Sequence, residues 1–273
     1  MNFFKTKKNY FLLFFVFLLN GCSGGITSPK GIIAIEQRNL ILISFLVMLI
    51  VVIPVIFMTL FFSFKYHHTS KNSQYNPNWN NSHKIELFSW GIPIILITFL
   101  AFLSWNKTHE LDPRKEIKTH FNPIKIKVVS LNWKWLFIYP KQKIISINEV
   151  VFPTNVPIKF YITSKTVMNS FFIPSLGSQI YAMPGMISKL SLISNFSGIN
   201  KGISSNYSGS GFSDMKFDAF SAFNLNFFNS WIYKVKKTGK NIKNLDNSFN
   251  IFYKDFKKYF VFSDFNIIKK LLD

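Results

Sequence analysis

The sequence predicts two transmembrane α-helices forming a hairpin, then an all-β domain, then a helical tail. Three observations carry this reading. Leu40–Phe64 has no charge at all and Ile85–Trp105 has none after Glu86, and both are long enough to cross the hydrocarbon of a bilayer. Beyond them come short β-rich runs broken by Pro, Gly and Asn, with no helical period between. After Ala219 apolar residues return at helix-like intervals. Composition agrees: 273 residues that are 48% hydrophobic, with mean hydropathy +0.19, are too apolar for an ordinary soluble domain and too charged to lie wholly in lipid.

The N-terminus reads as an export signal over residues 1–21. Lys5, Lys7 and Lys8 precede the apolar run Tyr10–Leu19, too short to span a bilayer, and small residues follow around Cys22. Leu19-Asn20-Gly21-Cys22 resembles the lipobox of bacterial lipoproteins, whose Cys is acylated and becomes the mature N-terminus. Asn20 stands where a small residue is usual, so a plain cleaved signal with an incidental Cys22 is the other reading. Cys22 is the single cysteine, which excludes intrachain disulfides and any metal site needing several thiolates.

Residues 22–39 lead into the first span, 40–64, where Pro54 is tolerable if neighbouring groups satisfy the freed carbonyl. A loop, 65–84, joins it to the second span, 85–105, which carries Trp90 and Trp105 as interfacial aromatics. Lysines in the loop (Lys65, Lys71, Lys84) are balanced by Lys107, Arg114, Lys115 and Lys118 after the second span, so the positive-inside rule does not choose an orientation. Export does: with Cys22 outside, two crossings leave the loop cytoplasmic and return the chain outside. The 168 residues from Asn106 onward, enough for one core, are then extracytoplasmic and membrane-anchored.

In that domain Ile124–Val128 alternates apolar and polar as a half-buried strand does; Trp133–Tyr139, Val150–Phe152, Ile158–Ile162, Ser188–Ile193 and Met215–Phe217 continue the series. Short strands with Pro/Gly turns predict a sandwich or small barrel over residues 106–220. In the tail, 221–273, Trp231, Val235, Phe249, Phe252, Phe256 and Phe260 predict helix. The net charge of +20 raises nucleic acid as a partner and then argues against it. All but two of the 32 cations, Arg38 and Arg114, are Lys, whereas base and phosphate recognition favours the Arg fork. The excess reads as compositional drift.

Three stretches carry a resemblance: Asn132 to Tyr139 (NWKWLFIY), Val167 to Gly177 (VMNSFFIPSLG) and Tyr207 to Phe212 (YSGSGF). With the lipobox and hairpin before them, and Ile35 to Arg38 and Tyr75 to Trp79 alongside, they are similar to subunit II of haem-copper oxidases, and more closely to subunit II of bacterial bo-type ubiquinol oxidases. The resemblance runs to about Phe217 and implies a cupredoxin-like Greek-key sandwich.

In the cytochrome c branch of that family the sandwich holds a dinuclear copper centre through the pattern H…C-x-E-x-C-x-x-x-H-x-x-M. Laid on this sequence, the His positions fall on Asn169 and Phe212, the Cys positions on Ser204 and Ser208, the Glu on Asn206 and the Met on Met215. Soft copper needs thiolate and imidazole, and one thioether cannot hold it. All five histidines (His67, His68, His83, His109, His120) precede the sandwich. The expectation is a copper-free sandwich with Met215 as apolar filler. The cluster Trp133, Trp135, Phe137 and Tyr139 resembles the stretch that passes electrons to copper in the other branch; with no acceptor beneath it, the expectation is a packing and docking face.

Glu86, in the pattern His83-x-x-Glu86-x-x-x-Trp90-x-x-Pro93, resembles the family's Glu at the mouth of a proton channel. An acid at a membrane boundary is a functional candidate, and a hydrated helix-end residue is the equal alternative. The family reading implies a chain that binds no cofactor itself in a proton-pumping oxidase. Haems and copper would lie in the partner subunit I, with ubiquinol as substrate of the complex, membrane lipid around it and no nucleic acid. Two other readings stay open: a copper-bearing subunit II of a cytochrome c oxidase, and a stand-alone envelope lipoprotein that binds a solute or assists assembly.

Overall fold

The computed structural model describes residues 25–67, 78, 81–117, 119–241 and 258–262. Cys22, the export signal, and Phe249, Phe252 and Phe256 lie outside the described residues. The chain divides into two compact units, Gln37–Asp112 and, separately, the residues up to Glu36 with those from Pro113.

The first unit is built on two helices, α1 (Ile32–Lys65) and α2 (His83–Glu110), both long and apolar enough to cross a membrane. At a rise of about 1.5 Å per residue each exceeds the roughly 30 Å of hydrocarbon. Both helices run beyond the charge-free stretches that announced them, because a helix continues through the headgroup layer where polar residues are tolerated. Polar side chains inside the apolar runs satisfy themselves on their own helix: Thr59 Oγ1 donates to the Val55 carbonyl at 2.7 Å, Ser89 Oγ to Ile85 at 2.7 Å and Thr98 Oγ1 to Ile94 at 2.8 Å. In lipid no water would do so. Pro54 and Pro93 lie within the helices.

The second unit is a two-sheet sandwich. In chain order its strands are Ile124–Leu131 (β1), Lys134–Tyr139 (β2), Ile144–Ile147 (β3), Glu149–Pro153 (β4), Ile158–Ser164 (β5), Asn169–Ile173 (β6), Gly177–Ala182 (β7), Ser188–Leu192 (β8), Gly198–Ser204 (β9) and Lys216–Ala222 (β10). A helix, α3 (Leu225–Thr238), and strands β11 (Lys240–Asn241) and β12 (Lys258–Val261) follow. One sheet runs β11-β12-β3-β2-β1-β5-β8, the other β4-β10-β9-β6-β7. The parallel pairs β1–β5 and β4–β10 show that the chain passes between sheets instead of meandering.

Period-two burial explains the packing. Ile126 and Val128 of β1, Ile158, Phe160 and Ile162 of β5, and Trp135, Phe137 and Tyr139 of β2 point into the space between the sheets. There they meet Phe171 and Phe217, whose rings stack at 5.0 Å, with Trp135 edge-on to both at 5.3 and 5.8 Å. The intervening residues Leu136 and Ile138 join a second cluster with Ile145, Ile147, Phe260 and Phe262 on the opposite face.

The tail is helical over α3, capped by Asn224, whose side chain accepts from the Phe227 amide at 2.8 Å. Phe228, Trp231 and Val235 pack that helix on the sandwich at Tyr139. Phe260, expected on a helix, lies instead in β12, which adds antiparallel to β3. Its neighbour Tyr259 bonds Glu149 from the other face of the strand, so the apolar period there is two.

Residues before α1 also sit on the sandwich. The Lys30 amide donates to Ser175 O at 2.7 Å and the Asn195 amide to Lys30 O at 2.8 Å. Gly31 is required at this contact, since a Cβ there would lie 2.5 Å from the Ile193 carbonyl and 3.0 Å from that of Leu176. Residues 30 and 31 are therefore part of the same compact unit as the sandwich.

Candidate functional site

The positions that would carry copper converge at one end of the smaller sheet. Asn169 opens β6 and Ser204 closes β9, its antiparallel neighbour, so the two meet, and the Ser204 hydroxyl donates to Asn169 Oδ1 at 3.2 Å. Asn169 Nδ2 donates to Ser130 Oγ at 2.7 Å and to the Val167 carbonyl at 3.1 Å. Asn206 turns its carbonyl toward Ser204 Oγ at 3.4 Å and its amide toward Met168 O at 3.5 Å. The buried Met215 accepts the Ser204 amide at its carbonyl, at 3.2 Å, with its side chain in the core. Phe212 packs against Tyr207 with ring centroids 5.7 Å apart. The Ser208 hydroxyl is shielded and has no hydrogen-bond partner among the described residues.

These residues do not fit copper. Both ends of the Asn169 amide are engaged, Ser204 is neutral and hydrogen-bonded, Phe212 has no donor atom, and a single thioether remains. The site is closed by hydrogen bonds where a ligand set would otherwise hold the loop. Ser130, which anchors Asn169, was not singled out from sequence; its sole signal is a small polar residue at an inward position of a β strand.

The aromatic cluster is divided. Trp135, Phe137 and Tyr139 are wholly buried between the sheets, which corrects the docking half of the expectation for them: they are packing residues, because β2 is an inner strand whose odd positions all face the core. Trp133 is not in the strand. It holds φ of 54° in the β1–β2 turn and lays its ring over the loop that follows Ser208. A Cβ on Gly211 would lie 2.3 Å from that ring, so the glycine permits the close approach.

Tyr139 uses its hydroxyl inside the core, donating to the Val151 carbonyl at 2.9 Å and accepting the Val151 amide at 2.8 Å. Burial pushes its ionisation far above the ordinary phenol range. Burial, followed by its hydrogen bond to Glu149, also raises Tyr259. Glu86 belongs to the other unit, in the first turn of α2, with its side chain 63% exposed and Oε2 3.7 Å from Nδ1 of His83. A carboxylate so exposed is in reach of water.

Known proteins resemble this chain over most of its length. The family description "Cytochrome C oxidase subunit II, periplasmic domain" matches residues 140–219. Cytochrome bo(3) ubiquinol oxidase subunit 2 of Buchnera aphidicola subsp. Schizaphis graminum is 56% identical over 87% of this chain and 81% of its own length. The protein of the same name from Pseudomonas putida is 49% identical, covering 85% of this chain and 76% of its own. Ubiquinol oxidase subunit 2 of Acetobacter aceti is 47% identical over 81% and 72%. On identity of this extent, this chain, a cupredoxin-like sandwich behind two apolar helices, belongs to the ubiquinol oxidase subunit 2 family.

Proposed function

We propose that this chain serves as the cofactor-free, structural subunit II of a proton-pumping ubiquinol oxidase in a bacterial inner membrane. The observation that supports this best is the hydrogen-bonded closure of Asn169, Ser204 and Asn206 within a family that elsewhere uses the same positions for copper. A sandwich without a redox group cannot relay electrons. Ubiquinol oxidation and oxygen reduction then fall to the haems and copper of subunit I, and this chain contributes assembly, a docked extracytoplasmic domain and, at Glu86, a group that admits protons. Acylation of Cys22 adds a lipid anchor to the two spans.

The test is capture of the full-length chain through an affinity tag from membranes in mild detergent. The expected result is a haem-containing partner that co-purifies and oxidises ubiquinol with oxygen. A stable chain recovered without any haem partner would return the reading to a stand-alone envelope lipoprotein.

A further inference from the structure

Exposed apolar side chains gather where the sandwich receives the chain from its helices. Ile33, in the first turn of α1, packs on the sandwich core, Ala34 beside it is buried, and Gly31 is seated against the Ile193 and Leu176 carbonyls. Just past α2 the chain comes back to the same end of the sandwich, where the Pro113 carbonyl accepts the Ser191 amide at 2.9 Å. Phe196, Ile199 and Phe223 surround this entry, each more than half exposed. Hydrogen bonds hold them there. The Asn195 amide donates to Lys30 O at 2.8 Å, Lys30 Nζ to Ile199 O at 3.2 Å, Ser194 Oγ to Phe196 O at 2.9 Å and Thr154 Oγ1 to Phe223 O at 2.9 Å. The Asn155 amide donates to Ser194 O at 2.8 Å, so the turns that carry Phe223 and Phe196 adjoin. A lone exposed apolar residue is ordinary, whereas three held around one point mark a surface that something apolar covers.

Depth says what covers it. α1 is one continuous helix, and its charge-free run begins at Leu40, seven residues after Ile33. At about 1.5 Å per residue that is roughly 10 Å, and tilt only brings Ile33 closer to the hydrocarbon. The polar layer on each side of a bilayer is itself about 5–8 Å deep, so this end of the sandwich stands at the headgroups. Charge agrees: Lys30, Lys125, Lys141 and Lys159 outnumber Glu36 and the Lys159-paired Glu116 here, which suits anionic lipid.

We infer that this end of the sandwich is a membrane-seating surface. Phe196, Ile199 and Phe223 enter the boundary between headgroups and acyl chains in the leaflet on the sandwich's side, as the apolar face of an interfacial element does. The domain thus rests on anionic phospholipid. The inference relies on α1 and α2 spanning a bilayer.

The test is nitroxide accessibility on the full-length chain in vesicles of phosphatidylethanolamine and phosphatidylglycerol. With Cys22→Ser removing the one native thiol, the label is attached through Phe196→Cys, Phe223→Cys or, at the opposite end of the sandwich, Tyr207→Cys, where the parent side chain is just as open to solvent. Labels in place of Phe196 and Phe223 should collide several-fold less with a water-soluble nickel chelate than the label in place of Tyr207, and more with oxygen, which concentrates in hydrocarbon. Equal chelate access at all three positions overturns the inference. Labels shielded only in the oxidase complex, and open to the chelate when the chain is alone in vesicles, assign the patch to a partner subunit and also overturn it. Release of the chain from vesicles by alkaline carbonate would refute the spans, and the inference with them, which separates failure of the hairpin from failure of the seating surface.

Discussion

Ser204 Oγ donates to Asn169 Oδ1 at 3.2 Å, tying the end of β9 to the start of β6 where the copper-bearing branch has a thiolate and an imidazole. The bond makes a definite prediction about metal. Full-length chain washed with chelator should bind no stoichiometric copper, and Asn169→His alone should not restore it, because both thiolate positions remain serine. Stoichiometric copper by atomic absorption in the parent chain would refute the proposed cofactor-free role.

The Trp133–Gly211 contact predicts non-additive stability. Gly211→Ala places a Cβ 2.3 Å from the indole and should cost about 1–3 kcal/mol by overpacking. Trp133→Ala removes the obstacle, so Gly211→Ala should then be nearly neutral. Denaturant titration of the two single variants and the double variant measures the coupling. Additive losses would show that the ring does not set the loop's position.

Some of this was legible in the sequence and some was not, for identifiable reasons. The spans were plain because a charge-free run of 25 residues has few other uses. β1 was plain because Ile124, Ile126 and Val128 alternate with Lys125 and Lys127. β6, β7 and β9 escaped because their buried positions include Asn169, Ser170, Ser178, Asn200 and Ser204. Their partners come from distant segments, as in Ser175 to Asn200 and Asn200 to Ser221, and periodicity cannot foresee them. Trp133 was placed in a strand because Trp favours strands, whereas tertiary packing on a glycine loop holds it at positive φ. The lost copper positions came from motif alignment, and that alignment could not foresee that Ser130 would complete their closure.

Tyr139 predicts an alkaline weakness. Burial first, then the carboxylate of Glu149, disfavours its ionised form, so its folded ionisation lies above the unfolded value of about 10. The sign follows: this contribution is complete below about pH 10 and is lost as pH rises further, because the unfolded chain releases the proton more readily. Thermal melts should therefore fall above pH 10. Tyr139→Phe should lose about 1–3 kcal/mol at neutral pH, since the Val151 amide and carbonyl are left unpaired by that hydroxyl in the core, yet its melts should fall less steeply in alkali. Parallel profiles for parent and variant would assign the alkaline loss elsewhere, Tyr259 being the next candidate.

Replacement of Cys22 by Ser should abolish metabolic labelling with fatty acid while leaving the chain in the membrane fraction. Two spanning helices bury far more apolar surface than acyl chains add. Unchanged labelling would refute the lipobox, and recovery of the variant in the soluble fraction would refute the hairpin.

Glu86 gives the prediction closest to the chemistry. It stands in the first turn of α2 beside His83, exposed enough to exchange protons with water, at the span end that the proposed topology puts on the cytoplasmic side. If it admits protons, Glu86→Ala should slow turnover of the assembled oxidase, and Glu86→Asp should slow it less, because a carboxylate one methylene shorter still reaches the same water. A ten-fold loss corresponds to about 1.4 kcal/mol of added barrier, a fitting size for a relay group that water replaces in part. Stability should hardly move, since an acid at a helix N-terminus contributes only about 0.3–1 kcal/mol through the dipole. Turnover measured across pH, alongside haem content, separates the two roles. A loss of rate at full haem content supports proton entry. An Ala variant that assembles fully and matches the parent at every pH would leave Glu86 a hydrated helix-end residue.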